Sequence, residues 1–123
     1  MYKCPLCAQD PTSHSFREVS PGVFYTKPAE ASRYWDRESI ITHYDGMLSQ
    51  HKGPWIWIFD AKGFSLRHLV EVDVAIAVTK LVMKYSETLE EIQVVNSSWI
   101  VGVALHIVRP FVNQGILKRL HCV

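Results

Sequence analysis

Residues 53–65, GPWIWIFDAKGFS, hold five consecutive large apolar side chains, Trp55 to Phe59, between Gly53-Pro54 and Asp60. A run of that length bounded by turn formers predicts a strand covered on both faces, the kind found in parallel α/β sheets. Ligands of such sheets collect at the carboxyl ends of the strands, which brings Asp60, Lys62 and Gly63 into consideration. Asp60 has two readings, a working carboxylate or the point where a core strand reaches water.

The neighbouring segments extend the pattern in both directions. Upstream, Phe16 and Val19, then Val23, Phe24 and Tyr25, flank Ser20-Pro21-Gly22 and predict a β-hairpin. Asp36 is placed to cap a helix carrying Ile40, Ile41, Tyr44, Met47, Leu48 and His51 at helical spacing, which Lys52-Gly53-Pro54 stops. Downstream, LRHLVEVDVAIAVTKLVMKY (66–85) predicts one long helix, with Asp73, Lys80, Lys84 and Glu87 as its narrow polar stripe and most of its circumference buried. IQVV (92–95) is a second core strand ending at Asn96. SSWIVGVALHIVRPFV is a nearly all-apolar helix capped by Ser97 or Ser98 and broken at Pro110, and ILKRLHCV is a last short strand. Alternating strands and helices with crossovers this long imply parallel pairing and right-handed connections. The expected fold is α/β, a mixed sheet with parallel core strands, flanking helices and an N-terminal hairpin, with Asp60 and Asn96 ending neighbouring strands on one sheet edge.

At 123 residues the chain reads as a single domain, 1–123. Its formal charge of +1, from thirteen basic and twelve acidic side chains, offers no electrostatic footprint for nucleic acid. The N-terminus, MYKCPLCAQD, lacks an apolar signal core, and the sequence contains no apolar run of membrane-spanning length. A soluble cytoplasmic protein with at most peripheral membrane contact is expected. Three cysteines, two of them in Cys-x-x-Cys, favour metal binding or free thiols over disulfides.

Residues 53–119 carry an ordered set of motifs: WIWIFDAKGFS, YSETLEEIQVVN, SSW and VRPFV. The set resembles the CRAL-TRIO domain, the lipid-binding fold of Sec14-like phosphatidylinositol transfer proteins and of retinal- and tocopherol-binding proteins. In that family the blocks read as a strand ending in Asp-x-x-Gly, Tyr-Pro-Glu-Arg-Leu with its following strand into Asn, Ala-Pro-Trp/Phe, and Lys-Pro-Phe-Leu. Ser86, Thr88 and Ser98 depart from the pattern. The family's helical N-terminal extension, final strand and final helix have no counterpart in these 123 residues, so a minimal version of the fold is expected. The resemblance implies non-enzymatic binding of a hydrophobic or phosphoinositide-type lipid. It matches Glu87 to a headgroup-holding glutamate, Arg119 (or Lys118) to a headgroup lysine, and Trp99 to Val112, including Phe111, to the mobile gate. Glu87 and Arg119 also fit an ordinary solvated pair.

Cys4, Cys7 and His14 in CPLCAQDPTSH can chelate through a tight turn, and thiolate with imidazole is what zinc prefers. Residues 1–15 therefore read as a zinc knuckle, with Cys122 from the terminal strand as the fourth ligand of a closed structural Cys3His site, or as free thiols. Catalytic signatures such as Gly-x-Ser-x-Gly, His-Glu-x-x-His, a phosphate loop or a dinucleotide fingerprint do not occur, and the chain reads as a non-enzyme. His43 and His68 are expected at helix edges and His106 as a core histidine. The rival to lipid binding is a zinc-stapled protein-interaction module on the same scaffold. Apolar helix surface that the complete fold would cover predicts a homodimer.

Overall fold

Trp55–Asp60 is the central strand of a five-stranded sheet in the computed structural model of the chain, which describes residues 2–122. The elements run α1 (Pro5–Gln9), β1 (Phe16–Ser20), β2 (Val23–Thr26), α2 (Arg37–Gln50), β3 (Trp55–Asp60), α3 (Leu66–Val70), α4 (Val72–Met83), β4 (Leu89–Val95), α5 (Trp99–Val108), α6 (Gln114–Leu117) and β5 (Leu120–Cys122). Single 3-10 turns occupy Pro28–Glu30 and Arg109–Phe111. Strand order in space equals strand order in sequence; β1 is antiparallel to β2 and every later pair is parallel.

A sheet that advances one strand at a time in one direction, through right-handed crossovers, receives all its helices on the same face. Here α2 packs on α4 and α4 on α5. Strand alternation turns Phe24, Trp55, Trp57, Ile92 and Val94 toward those helices, where they are buried. Phe16 joins the layers by stacking on Tyr44 of α2 at 3.9 Å between ring centroids and 11° between planes. The opposite face carries the row Arg17, Tyr25, Ile58, Gln93 and His121 in direct register.

Asp60 proves to be a clamp between strand ends. Its carboxylate accepts from the Tyr25 hydroxyl at 2.5 Å, from Asn96 Nδ2 at 2.9 Å and from the Lys62 N–H at 3.0 Å. The three donors come from the strand on one side, the residue after the strand on the other, and the turn that leaves β3. That turn needs Gly63, at φ 83°, because a Cβ there would lie 2.7 Å from the Cβ of Ala29.

The hairpin, the α2 cap and the parallel β3–β4 pair stand where the sequence predicts them. Asp36 accepts from the Ser39 N–H at 3.3 Å. Three elements differ. The strand predicted over 116–123 begins only at Leu120, because Asn113 caps the short helix Gln114–Leu117 ahead of it. The helix predicted over 66–85 is two helices broken at Glu71, where φ is −86° and ψ is 45°. At 3.6 residues per turn, a straight helix would set His68 roughly a quarter turn from the centre of the face formed by Val74, Val78, Leu81 and Val82. The break lets both be buried, with His68 stacked on Phe64 and closing a capping box with Ser65. It also leaves Leu66 and Val70 of α3 exposed, against the expectation of a mostly buried circumference. The second core strand begins at Leu89, three residues before Ile92, because Glu90 and Glu91 obscure its alternation.

Replacing Asp60 with Ala should cost about 2–3 kcal/mol, a drop in urea midpoint at constant slope. Burial alone would raise the Asp60 carboxyl, but donation from Asn96, Tyr25 and the Lys62 N–H outweighs it and holds the group below its ordinary value. Its contribution is therefore full above the unfolded aspartate value of about 3.9 and fades as pH falls through the depressed folded value. Asp60→Asn should flatten that acid limb in a stability-versus-pH series.

Candidate functional site

Four side chains from three segments converge at the β1 end of the molecule. Cys4 caps α1, Pro5 starts it, and Cys7 sits one turn on. His14 follows α1, and His43 projects from the buried side of α2. The ligand atoms of Cys4, Cys7, His14 and His43 all lie within 4.8 Å of one another. His14 Nδ1 is 3.5 Å from the Cys4 sulfur and 3.4 Å from the Cys7 sulfur, and His43 Nδ1 is 3.9 Å from the Cys7 sulfur. Zinc bonds of 2.0–2.3 Å at tetrahedral angles would separate their ligand atoms by roughly 3.3–3.8 Å.

The outer nitrogens of both rings are also engaged. His43 Nε2 donates to the Phe16 carbonyl at 2.8 Å, and His14 Nε2 lies 3.0 Å from Ser39 Oγ. A carbonyl only accepts, so His43 carries its proton on Nε2 and turns the Nδ1 lone pair toward the thiols, the second-shell pattern of metal-bound histidine. Burial, with His43 alongside, pushes His14 down to about 4, and burial also lowers His43. Both rings are thus neutral near pH 7. Burial, with Cys4 alongside, pushes the Cys7 thiol up to about 11. A bound cation would reverse that preference by favouring the thiolate. The cluster is a set of residues that could hold a metal ion.

Three of the four predicted ligands meet there, and Cys122 does not. It is exposed on β5, at the sheet edge opposite β1, because each crossover moves the chain one strand further from the N-terminus. His43 takes its place. The available signal was position on α2: residue 43 falls three after Ile40 and four before Met47, on the helix's apolar side.

Beside the cluster, a cavity of about 100 Å³ lies between the sheet and the helices. Trp57, Phe59, Ile92 and Val94 form its floor, Ile40, Tyr44, Val74 and Val78 its walls, and Val101, Ala104, Leu105 and Val108 of α5 its roof. The polar groups of two lining residues are tied down, with Thr26 Oγ1 bonded to Tyr44 and Trp57, and Thr79 Oγ1 to the Ala75 carbonyl. Such a space takes apolar matter.

The remaining candidates are dispersed. Glu87 is exposed in the turn between α4 and β4. Arg119 is committed to backbone, donating from Nη1 to Leu89 O at 2.9 Å and from Nε to Gly115 O at 3.1 Å. Among the described residues the ion pairs do not join the two. Trp99 (71% exposed) and Phe111 (38%) lie on the outside of the α5 region, and Lys80 Nζ sits 4.9 Å from the Phe111 ring centroid. His106 is exposed rather than in the core, because Val101 and Val108 occupy the inward side of α5. His43 and His68 are both buried instead of lying at helix edges.

The chain belongs to the CRAL/TRIO domain family, whose model matches residues 3–123, well beyond the stretch that carries the recognisable motifs. Among solved structures, the crystal structure of Sfh5 is similar at a TM-score of 0.70 and 14% identity, over 94% of this chain and 50% of that one. The chain thus spans about half the length of Sfh5, and at this identity the likeness is one of fold. No curated protein matches the sequence significantly.

The N-terminal segment has one further anchor. The Tyr2 ring stands edge-on to His43 at 6.0 Å and covers Gly46 so closely that a Cβ there would overlap it. Alanine within a helix ordinarily gains about 1 kcal/mol over glycine. Gly46→Ala should instead lower the melting temperature and speed amide exchange in residues 2–14.

Proposed function

We propose that the protein binds a hydrophobic ligand without chemical conversion, in the cavity under α5, and that the Cys/His cluster holds a structural zinc ion. The observation carrying the reading is the apolar cavity itself, roofed by a lightly anchored helix. Lipid binding is also what the family resemblance implies. A cavity of this size is below the roughly 150 Å³ that admits benzene, so a lipid chain enters only if the roof moves. Of the ten residues of α5 only Val101 and Val108 are buried. Lifting them together with Ile100, Ala104 and Leu105, which pack partly buried against the core, costs about 5–9 kcal/mol, a gap that ligand binding can offset.

An entry surface lies alongside. Leu66 and Val70 on α3, and Trp99 and Val103 on α5, are pairs four residues apart, exposed on two helices that touch, with Lys62 and Arg67 exposed nearby. An aromatic ring, aliphatic groups and flanking cations suit peripheral contact with a bilayer from which a lipid is taken. The same surface supports the second reading, an interaction module that pairs with another copy of the chain. The engagement of Arg119 with backbone favours a hydrophobic ligand over one held by an inositol headgroup.

Organic extraction of protein made in eukaryotic cells, followed by mass spectrometry, should recover lipid. Ala104→Phe, which fills the cavity from its roof, should abolish recovery while the fold is retained. Trp99→Ala should leave stability within about 0.5 kcal/mol, since the ring is exposed, yet slow transfer of lipid from vesicles. Empty extractions together with a dimer in light scattering would replace lipid binding with the interaction module.

A further inference from the structure

The cluster and the cavity share a wall. We propose that zinc at Cys4, Cys7, His14 and His43 anchors the cavity wall formed by residues 28–34, so that the metal and the hydrophobic ligand bind cooperatively. The inference rests on the ligand-binding reading above and adds a control to it.

Within the N-terminal segment, helix α1 is the part with least tertiary support of its own. Helix α1 is five residues long and buries none of them, so it has neither the length nor the apolar face to persist alone. Two cysteines at its first turn, linked through an ion to His14 and His43, would supply the missing tertiary restraint. Four protein ligands close the coordination sphere, and two thiolates with two imidazoles are a set that selects zinc and serves structure rather than catalysis.

What the segment holds in turn is the cavity wall. The Ser32 N–H donates to Thr12 O at 2.9 Å and the Arg33 N–H to Ser13 O at 3.1 Å. Ser32 Oγ donates to Asp10 at 3.0 Å, and the Lys27 N–H to Ser15 Oγ at 3.2 Å. These bonds bracket Pro28 and Ala31 and end one residue before Tyr34, and all three line the cavity, as does the ligand residue His14. On α2 the two functions interleave within one turn and a half: Ser39 supports His14, Ile40 lines the cavity, His43 faces the cluster, and Tyr44 lines the cavity. Ser15, at φ 48°, sits in a conformation disfavoured for serine, between the metal-facing His14 and the core-facing Phe16. Loss of the ion would free residues 4–14, then the strap over residues 28–34, and open the cavity on the side away from α5. By linkage, a ligand that needs the closed wall raises zinc affinity by the same factor that zinc raises ligand affinity.

The test uses the full chain and a fluorescent long-chain fatty acid as probe. Metal analysis of the purified protein should find about one zinc per chain. Stripping zinc with a chelator should weaken probe binding by about tenfold or more, and zinc, but not magnesium, should restore it. Amide exchange should rise in residues 4–14 and 28–34 while β3 and β4 stay protected. Ser39→Ala, which leaves all four ligands in place, should lower zinc affinity by about tenfold or more and weaken the probe at limiting zinc. Equal probe binding with and without zinc would overturn the coupling alone. A zinc-loaded protein that fails to bind the probe would overturn the ligand-binding reading and the inference with it. Absence of zinc, or loss of protection in β3 and β4 on stripping, would overturn the inference while leaving ligand binding intact.

Discussion

One-sided coverage of a parallel sheet is the constraint on which this structure depends. Each crossover from β2 to β5 steps in the same direction, so α2, α4 and α5 must share a face. That face receives the large side chains of the central strands, Phe24, Trp55, Trp57, Ile92 and Val94. Three helices spread over a five-stranded sheet do not seal it completely, and the cavity is the space left between aromatic floor and aliphatic roof. Asp60 serves the same arrangement from the strand ends, holding β2, β3 and the turn after β4 in register through Tyr25 and Asn96.

The anchoring of the helices is uneven. Helix α4 buries four residues and α2 buries four, whereas α5 buries two of ten. Glycine at position 102 weakens α5 further. Of the three helices over the cavity, α5 thus has the fewest fully buried side chains. On the far side, the wall at residues 28–34 is fastened through backbone hydrogen bonds to a segment without a core of its own. The two sides of the cavity are held by different physics, hydrophobic contact under α5 and hydrogen bonds to residues 10–15 beyond Tyr34.

The histidines show how burial assigns roles that composition leaves open. His43 and His68 are both buried, yet His68 closes a helix cap by accepting from the Ser65 N–H while His43 donates to the Phe16 carbonyl and faces the Cys7 sulfur. His106, surrounded in sequence by apolar residues, is exposed because α5 needs only one narrow stripe against the sheet. Apolar neighbours along a helix say little about which way a side chain between them points.

Local chemistry by itself determined much of this protein: the hairpin about Pro21-Gly22, the Asp36 cap, the strands that end at Asp60 and before Asn96, and the turn that sets Cys4 beside Cys7. These features rest on residues near one another in the chain, where spacing, turn formers and strand or helix period act directly. Tertiary structure alone decided the fourth member of the Cys/His cluster. Cys122 is adjacent to nothing at the N-terminus because four strand-to-strand steps carry it to the far sheet edge, while α2, in the first crossover, brings His43 back over β1. The break at Glu71 has the same origin, since burying His68 beside Phe64 and Val74 over the sheet is a demand set by two surfaces and not by helix propensity. Which histidine meets which cysteine, and which apolar side chains enclose a cavity, follow from where the crossovers place whole elements in space, information that no short stretch of the chain contains.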